Sequence, residues 1–179
     1  MPDNPDIMTL LADAWKHRGA GQYQAAQELV RKAQALCADD DYNALGRIFH
    51  VYAQIESDHD RLQPALEYYQ RSRGQYVTAK NADKIAHLTR HIADLQRELG
   101  NAGESEARFL EAIALYEANA QSREIDLANA YYGYALLLKN QHKNPQAIAA
   151  WEAASRLYQA GNLQMGVDEA NRNIELLRK

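Results

Sequence analysis

Apolar positions along this chain recur at intervals of three and four from one end to the other, which is the spacing of one helix face rather than the alternation of a strand. Ala26, Val30, Ala33 and Leu36 fall on one side of a helix read from Gln22 to about Cys37, and Ile85, Leu88, Ile92, Leu95 and Leu99 on one side of another. Nine helices are predicted. The first runs from Met8 to Arg18, with Leu10, Leu11, Ala14 and Trp15 inward, and stops at Gly19 and Gly21. The acidic run Asp39 to Asp41 closes the second helix and suits the positive end of the third, read from Asn43 to Ser57. Helix four starts near Arg61 with Pro64 in its first turn, where a missing amide proton costs little. Asn81 caps the fifth, which Gly100 and Gly103 end, and the sixth carries Ser105, Phe109, Ala112, Ile113 and Tyr116. Ser122 caps the seventh, Asn144 and Pro145 open the eighth, and Leu163 to Lys179 forms the ninth.

A second regularity lies on top of the first. Four sets of residues share one internal spacing of twelve, four and three: Ala14, Ala26, Val30, Ala33; Ala53, Ala65, Tyr69, Ser72; Ala93, Ser105, Phe109, Ala112; and Ala135, Ala147, Trp151, Ala154. Small residues where two helices cross let the backbones approach, and the large one fills the space beside them. Repetition with a period near 40 residues predicts a stack of helical hairpins.

This template resembles the tetratricopeptide repeat family. Tyr52-Ala53, Ile92-Ala93 and Tyr134-Ala135 match the large-then-small pair of the family's first helix, and Ala65-Tyr69-Ser72, Ser105-Phe109-Ala112 and Ala147-Trp151-Ala154 match the small, aromatic, small pattern of its second. The resemblance implies an all-α, right-handed α-solenoid of four hairpins, about 8–38, 42–79, 82–118 and 123–159, with a capping helix at 163–179, all in one domain. The period exceeds the 34 residues usual for the family, which leaves an armadillo-like stack as the alternative solenoid. In the first unit Asp13 stands at the large apolar site, and a shift to Leu11-Ala12 with a longer turn repairs the match. Glu175 replaces the small residue on the last helix, as expected of a solvated end.

Composition narrows the function classes. A net charge of −4 disfavours nucleic acid as the main partner. No stretch is long and apolar enough to suggest a membrane span, and the acidic, proline-bearing start does not read as a secretory signal, so the cytoplasm is the expected compartment. Cys37, the single cysteine, rules out an intramolecular disulfide and reads as a small buried helix residue.

Candidate chemistry is sparse. His87 and His91 stand four apart on helix five, a spacing that can hold a metal ion from one helix face. Against this, Asp94 is about 10.5 Å along the helix from His87, Arg90 adds a cation, and no Glu follows the first His as in zinc hydrolases. The expectation is therefore no metal, no cofactor, no catalytic residue and no enzymatic activity. Asp58-His59-Asp60 reads as turn chemistry.

If the stack is like that of the family, the first helix of each hairpin lines a concave groove. The residues facing it are Arg47, His50 and Gln54; then His87, Arg90, Asp94 and Arg97; then Asn129, Tyr132, Leu136 and Lys139; and finally Arg172. This set is more basic than the acidic chain around it. It predicts a groove for an extended or helical peptide of acidic character, with Tyr132 and Leu136 as its apolar anchor. A sensor closing on a small peptide or signal molecule, and self-assembly into a homo-oligomer, are the other readings. The Lys and Asn pair with which some family members hold a C-terminal carboxylate is replaced by Thr9 or Leu11 with Asp13 or Trp15, so that type of tail binding is not expected.

Overall fold

The structure, a computed structural model, describes residues 5–119 and 124–179. Among the described residues there are nine helices and no strand: α1 (Pro5–Gly19), α2 (Tyr23–Leu36), α3 (Tyr42–Ser57), α4 (Leu62–Thr78), α5 (Ala82–Glu98), α6 (Ala102–Ala118), α7 (Glu124–Asn140), α8 (Asn144–Ala160) and α9 (Gln164–Arg178). The chain forms two compact units, Met1–Leu88 and Thr89–Lys179, and α5 runs unbroken across the division.

In the first unit α1 packs on α2 and α3 on α4. Ala14, Ala26, Val30, Ala33, Ala53, Ala65 and Ser72 are fully buried, and Tyr69 nearly so. The hydroxyl of Ser72 donates to the carbonyl of Gly46 at 2.6 Å, so this buried polar group is satisfied. Gly46 faces the ring of Tyr76, where an added Cβ would stand 2.8 Å from the ring atoms. In the second unit α7 packs on α8 and α8 on α9. Ala93, Ser105, Phe109, Ala112, Ala135, Ala147, Trp151 and Ala154 are all fully buried, and the Ser105 hydroxyl donates to Ala93 O at 2.8 Å. All sixteen positions of the spacing template therefore lie in the two cores.

The turns repeat as closely as the helices. Gly21, Asp60, Lys80, Gly100, His142 and Asn162 each have φ between 55° and 80°. After each of them the next amide donates to a carbonyl five residues back, as in Gln22 to His17, Arg61 to Glu56 and Lys143 to Leu138. This Schellman closure satisfies the last carbonyls of the helix and turns the chain sharply into the next one. At the helix starts, Asp41 accepts from the Ala44 amide at 3.0 Å, and Asn81 from that of Lys84 at 3.3 Å.

Several details differ from the sequence reading. Ala14 is buried and Ala12 exposed, so the unshifted register of the first unit is the one adopted, with Leu11 supplying the large apolar contact. Trp15 is 47 % exposed, with the Arg18 guanidinium 4.2 Å above its ring, because it lies one position round the helix from Ala14 and points away from the core. Leu36, though spaced with Ala26, Val30 and Ala33, is 54 % exposed as the last residue of α2. Cys37 is not inside a helix but at its C-terminal cap, half-buried, where burial first and then Asp41 and Asp39 push its thiol above the ordinary value. Helix α8 starts one residue early, with Lys143 as cap and Asn144 already helical, and Gly103 lies in the first turn of α6 rather than after α5. The cap assigned to Ser122 falls outside the described residues.

Candidate functional site

Counted from the small residue of the template on each first helix, one side is set by positions six and three before it and one and four after it. On α3 these are Arg47, His50, Gln54 and Ser57; on α5, His87, Arg90, Asp94 and Arg97; on α7, Asn129, Tyr132, Leu136 and Lys139. On α9, with Glu175 at the small site, they include Glu169 and Arg172. All twelve residues expected to face a groove are half-buried except Arg172, which is exposed.

In the first unit the polar members are engaged locally. The Gln54 amide oxygen accepts from Arg18 Nη1 at 2.8 Å, and Arg18 also pairs with Asp58 at 2.9 Å. Arg47 Nη1 reaches the Met8 sulfur at 2.7 Å. The His50 ring lies 5.7 Å from that of Tyr69 and 5.3 Å from that of His87.

The second unit holds the denser cluster. Arg90 donates through Nη1 to Asp94 Oδ2 at 2.8 Å and through Nη2 to His91 Nε2 at 2.7 Å. Arg97 pairs with Glu98 at 3.1 Å. The Nε–H groups of both Arg90 and Arg97 are buried without a hydrogen-bond partner. Burial pushes the Asp94 carboxyl above the usual aspartate range, against the opposing pull of Arg90 and Arg97. Gly133 on α7 makes the room for that carboxylate: a Cβ there would stand 2.9 Å from Asp94 Oδ1 and 2.6 Å from the Phe109 ring. Nearby, the Tyr158 hydroxyl donates to Asn129 Oδ1 at 2.7 Å, and burial, with Tyr132 second, pushes this phenol up to about 12.

Tyr132 and Leu136, expected to form an apolar spot, are only half free to do so. The Tyr132 ring tilts against Trp151 with centroids 6.3 Å apart, and Leu136 packs on the same cluster. The Tyr132 hydroxyl donates to Glu169 Oε1 at 3.4 Å and accepts from Asn173 Nδ2 at 3.3 Å. Lys139 Nζ sits 6.0 Å from the Trp151 ring, and Arg172 pairs with Glu169 at 2.9 Å. Sequence reasoning missed Gly133, Tyr158 and Asn173. A glycine in the middle of α7 next to Tyr132 was the available signal for the first, since helix interiors disfavour it without a packing reason.

No helix of the described residues is long and apolar enough to cross a membrane. No family model matches the sequence, and no curated protein matches it. Solved structures do. BtubC (BKLC) from P. vanneervenii is 15 % identical, with a TM-score of 0.74 over 96 % of this chain and 79 % of that one. A putative kinesin light chain with nearly identical TPR-like repeats from Podosopora anserina is 17 % identical, with a TM-score of 0.58 over 99 % and 97 %. MamA of AMB-1 is 12 % identical, with a TM-score of 0.55 over 98 % and 93 %.

The fold is therefore all-α and tetratricopeptide-like, as the sequence template implied.

Proposed function

We propose that this protein is a non-enzymatic interaction module whose second unit binds an acidic peptide segment of a partner protein along α5, α7 and α9. The observation that carries this reading is the pair of buried, unpartnered Nε–H groups on Arg90 and Arg97, on either side of Asp94. A buried donor without a partner costs about 1–3 kcal/mol, and an incoming carboxylate removes that cost with charge-assisted hydrogen bonds. Asp94 then acts as the resident counter-ion that a partner's carboxylate supplements or replaces. Asn129, Tyr132, Lys139 and Arg172 border the arginines on the same register, and Leu136 and the Tyr132 ring edge give the peptide a small apolar contact. Function as an adaptor follows from this reading and stands or falls with it; a cytoplasmic location is proposed separately, on the sequence alone.

The test uses a fluorescently labelled Glu-rich peptide with interspersed Leu, and a Lys-rich peptide of the same length. The wild type binds the acidic peptide with an affinity that falls as salt rises, and Arg90→Glu with Arg97→Glu weakens it by about tenfold or more at unchanged helical content. Equal binding of both peptides, or binding that survives the double reversal, overturns the proposal.

A further inference from the structure

Within the second unit, one carboxylate already stands where an acidic peptide would place its own. Asp94 lies between Arg90 and Arg97 on the same side of α5. Its two oxygens have different surroundings. Oδ2 accepts from Arg90 Nη1 at 2.8 Å. Oδ1 faces α7, in the space that Gly133 leaves by having no Cβ and beside the Phe109 ring. The Asp94 side chain is 25 % exposed and that of Arg90 14 %, so the ion pair meets little water. The charge of Asp94 is therefore held by its arginines: burial raises the carboxyl, and Arg90 and Arg97 oppose that rise.

We propose, building on the acidic-peptide reading above, that the second unit takes up its partner together with a proton, which Asp94 receives as the partner's carboxylate displaces it from the arginines. An acidic group that accepts from the buried Nε–H of Arg90 shares one guanidinium with Asp94. The two carboxylates then stand about 4–6 Å apart, the range in which like charges oppose each other's ionisation. Asp94 is the one to yield, because its Oδ1 lies against Gly133 and Phe109, where little can replace the lost counter-ion. A proton from solvent forms the O–H bond on Asp94, the partner's group keeps its charge on the guanidinium groups, and the net charge of the site is the same before and after binding.

The other charged and titratable groups around Asp94 in this unit are few. On α5, Glu98 pairs with Arg97 at 3.1 Å and acts on Asp94 in the same direction as burial, and His91 Nε2 accepts from Arg90 Nη2 at 2.7 Å. From α6 and α7 the neighbours are Phe109 and Gly133, which carry no charge. From α8 the Tyr158 phenol feels both Arg90 and Asp94, and at about 12 it stays neutral through the working range. Asp94 and His91 are thus the two groups that could take the proton. Because the bound form holds more protons than the free one, affinity rises as pH falls from about 8 towards 6, where the peptide's own carboxylates are still ionised.

The experiment is calorimetric titration of the full-length protein with the Glu-rich peptide at about pH 6, in two buffers of different ionisation enthalpy, whose difference in heat counts the protons taken up. The expected result is uptake of a substantial fraction of one proton per peptide by the wild type, and the same uptake with a peptide carrying sulfonates in place of carboxylates, which cannot hold a proton themselves. Asp94→Asn abolishes the uptake and binds the peptide about tenfold tighter, since the competing charge is gone, whereas His91→Gln keeps the uptake. Where Asp94→Asn loses its helical signal, the Asp94 carboxyl resonance of carbon-13-labelled wild type replaces it and moves to the protonated position when peptide is added. Peptide binding with no proton uptake, uptake that survives Asp94→Asn, or uptake lost in His91→Gln overturns the proposal and leaves the acidic-peptide reading standing. Failure of the wild type to bind the acidic peptide overturns both.

Discussion

In the α3–α4 hairpin the template's large residue is Tyr69 and its last small residue Ser72; in α7–α8 the same places hold Trp151 and Ala154. Burial is equal in the two, yet the polar accounting is not. Ser72 anchors its hydroxyl on Gly46 O at 2.6 Å, whereas the Trp151 indole N–H is buried without a hydrogen-bond partner. At the template positions one hairpin is closed by a directional bond between its helices and the other by apolar bulk, its own interhelical bond lying off the template, from the Tyr158 hydroxyl to Asn129 Oδ1. The template thus specifies volume and leaves the chemistry of each place open. The outer register shows the same freedom on a larger scale: three residues before the template alanine stand His50 on α3, Arg90 on α5 and Tyr132 on α7.

The largest effect that separates the two hairpins is expected at the large residue. Trp151→Ala removes a fully buried indole and is expected to cost about 3–5 kcal/mol in chemical denaturation. Trp151→Phe costs far less than its lost volume implies, because it also removes an unsatisfied buried donor. Ser72→Ala, the polar counterpart in α3–α4, is expected to cost about 1 kcal/mol. A Trp151→Phe variant as unstable as Trp151→Ala would show that the indole N–H is satisfied in solution.

Next in size are the glycines against which the hairpins close. The three atoms nearest a methyl at Gly46 all belong to the Tyr76 ring, whereas those nearest one at Gly133 belong to Phe109 and the Asp94 carboxylate. Each Gly→Ala change is expected to cost about 1–3 kcal/mol from overpacking, reduced by the better helix propensity of alanine, about 1 kcal/mol. The two differ in function. Gly133→Ala displaces Asp94 and so alters acidic-peptide binding, while Gly46→Ala leaves it unchanged; equal effects of the two on binding would separate Asp94 from the site.

These cases show what was legible in the residues and what was not. The sixteen template positions are set by a spacing that any sequence reader can count, and all of them are buried because packing depends on size and phase. Trp15 and Leu36 fitted a loose apolar rhythm but lie outside the template, and both are exposed. The residues expected to face a groove were assigned by register as well, and the half-burial of all of them but Arg172 follows from the same phase. Their partners were not legible. That Tyr132 leans on Trp151, that Gly133 makes room for Asp94, and that His50 joins His87 depend on contacts between helices many residues apart, which no local spacing records.

The smallest effect sharpens the comparison most cleanly, because it concerns one equivalent residue in each hairpin. The α3–α4 turn places Asp60 at φ 55°, and the α7–α8 turn places His142 at φ 58°, and both are exposed. Both turns close with the same pair of backbone hydrogen bonds, Asp60 N to Ser57 O and Arg61 N to Glu56 O in one, His142 N to Lys139 O and Lys143 N to Leu138 O in the other. The left-handed conformation costs a residue with a Cβ roughly 1–2 kcal/mol, but aspartate is among the few that adopt it readily. Glycine removes the cost and returns part of it as greater unfolded-state entropy. His142→Gly is therefore expected to stabilise the protein by about 0.5–1 kcal/mol, and Asp60→Gly by less. Thermal melts of the two variants at one pH read the difference directly; a larger gain at position 60 than at 142 would mean that aspartate contributes nothing to its own turn.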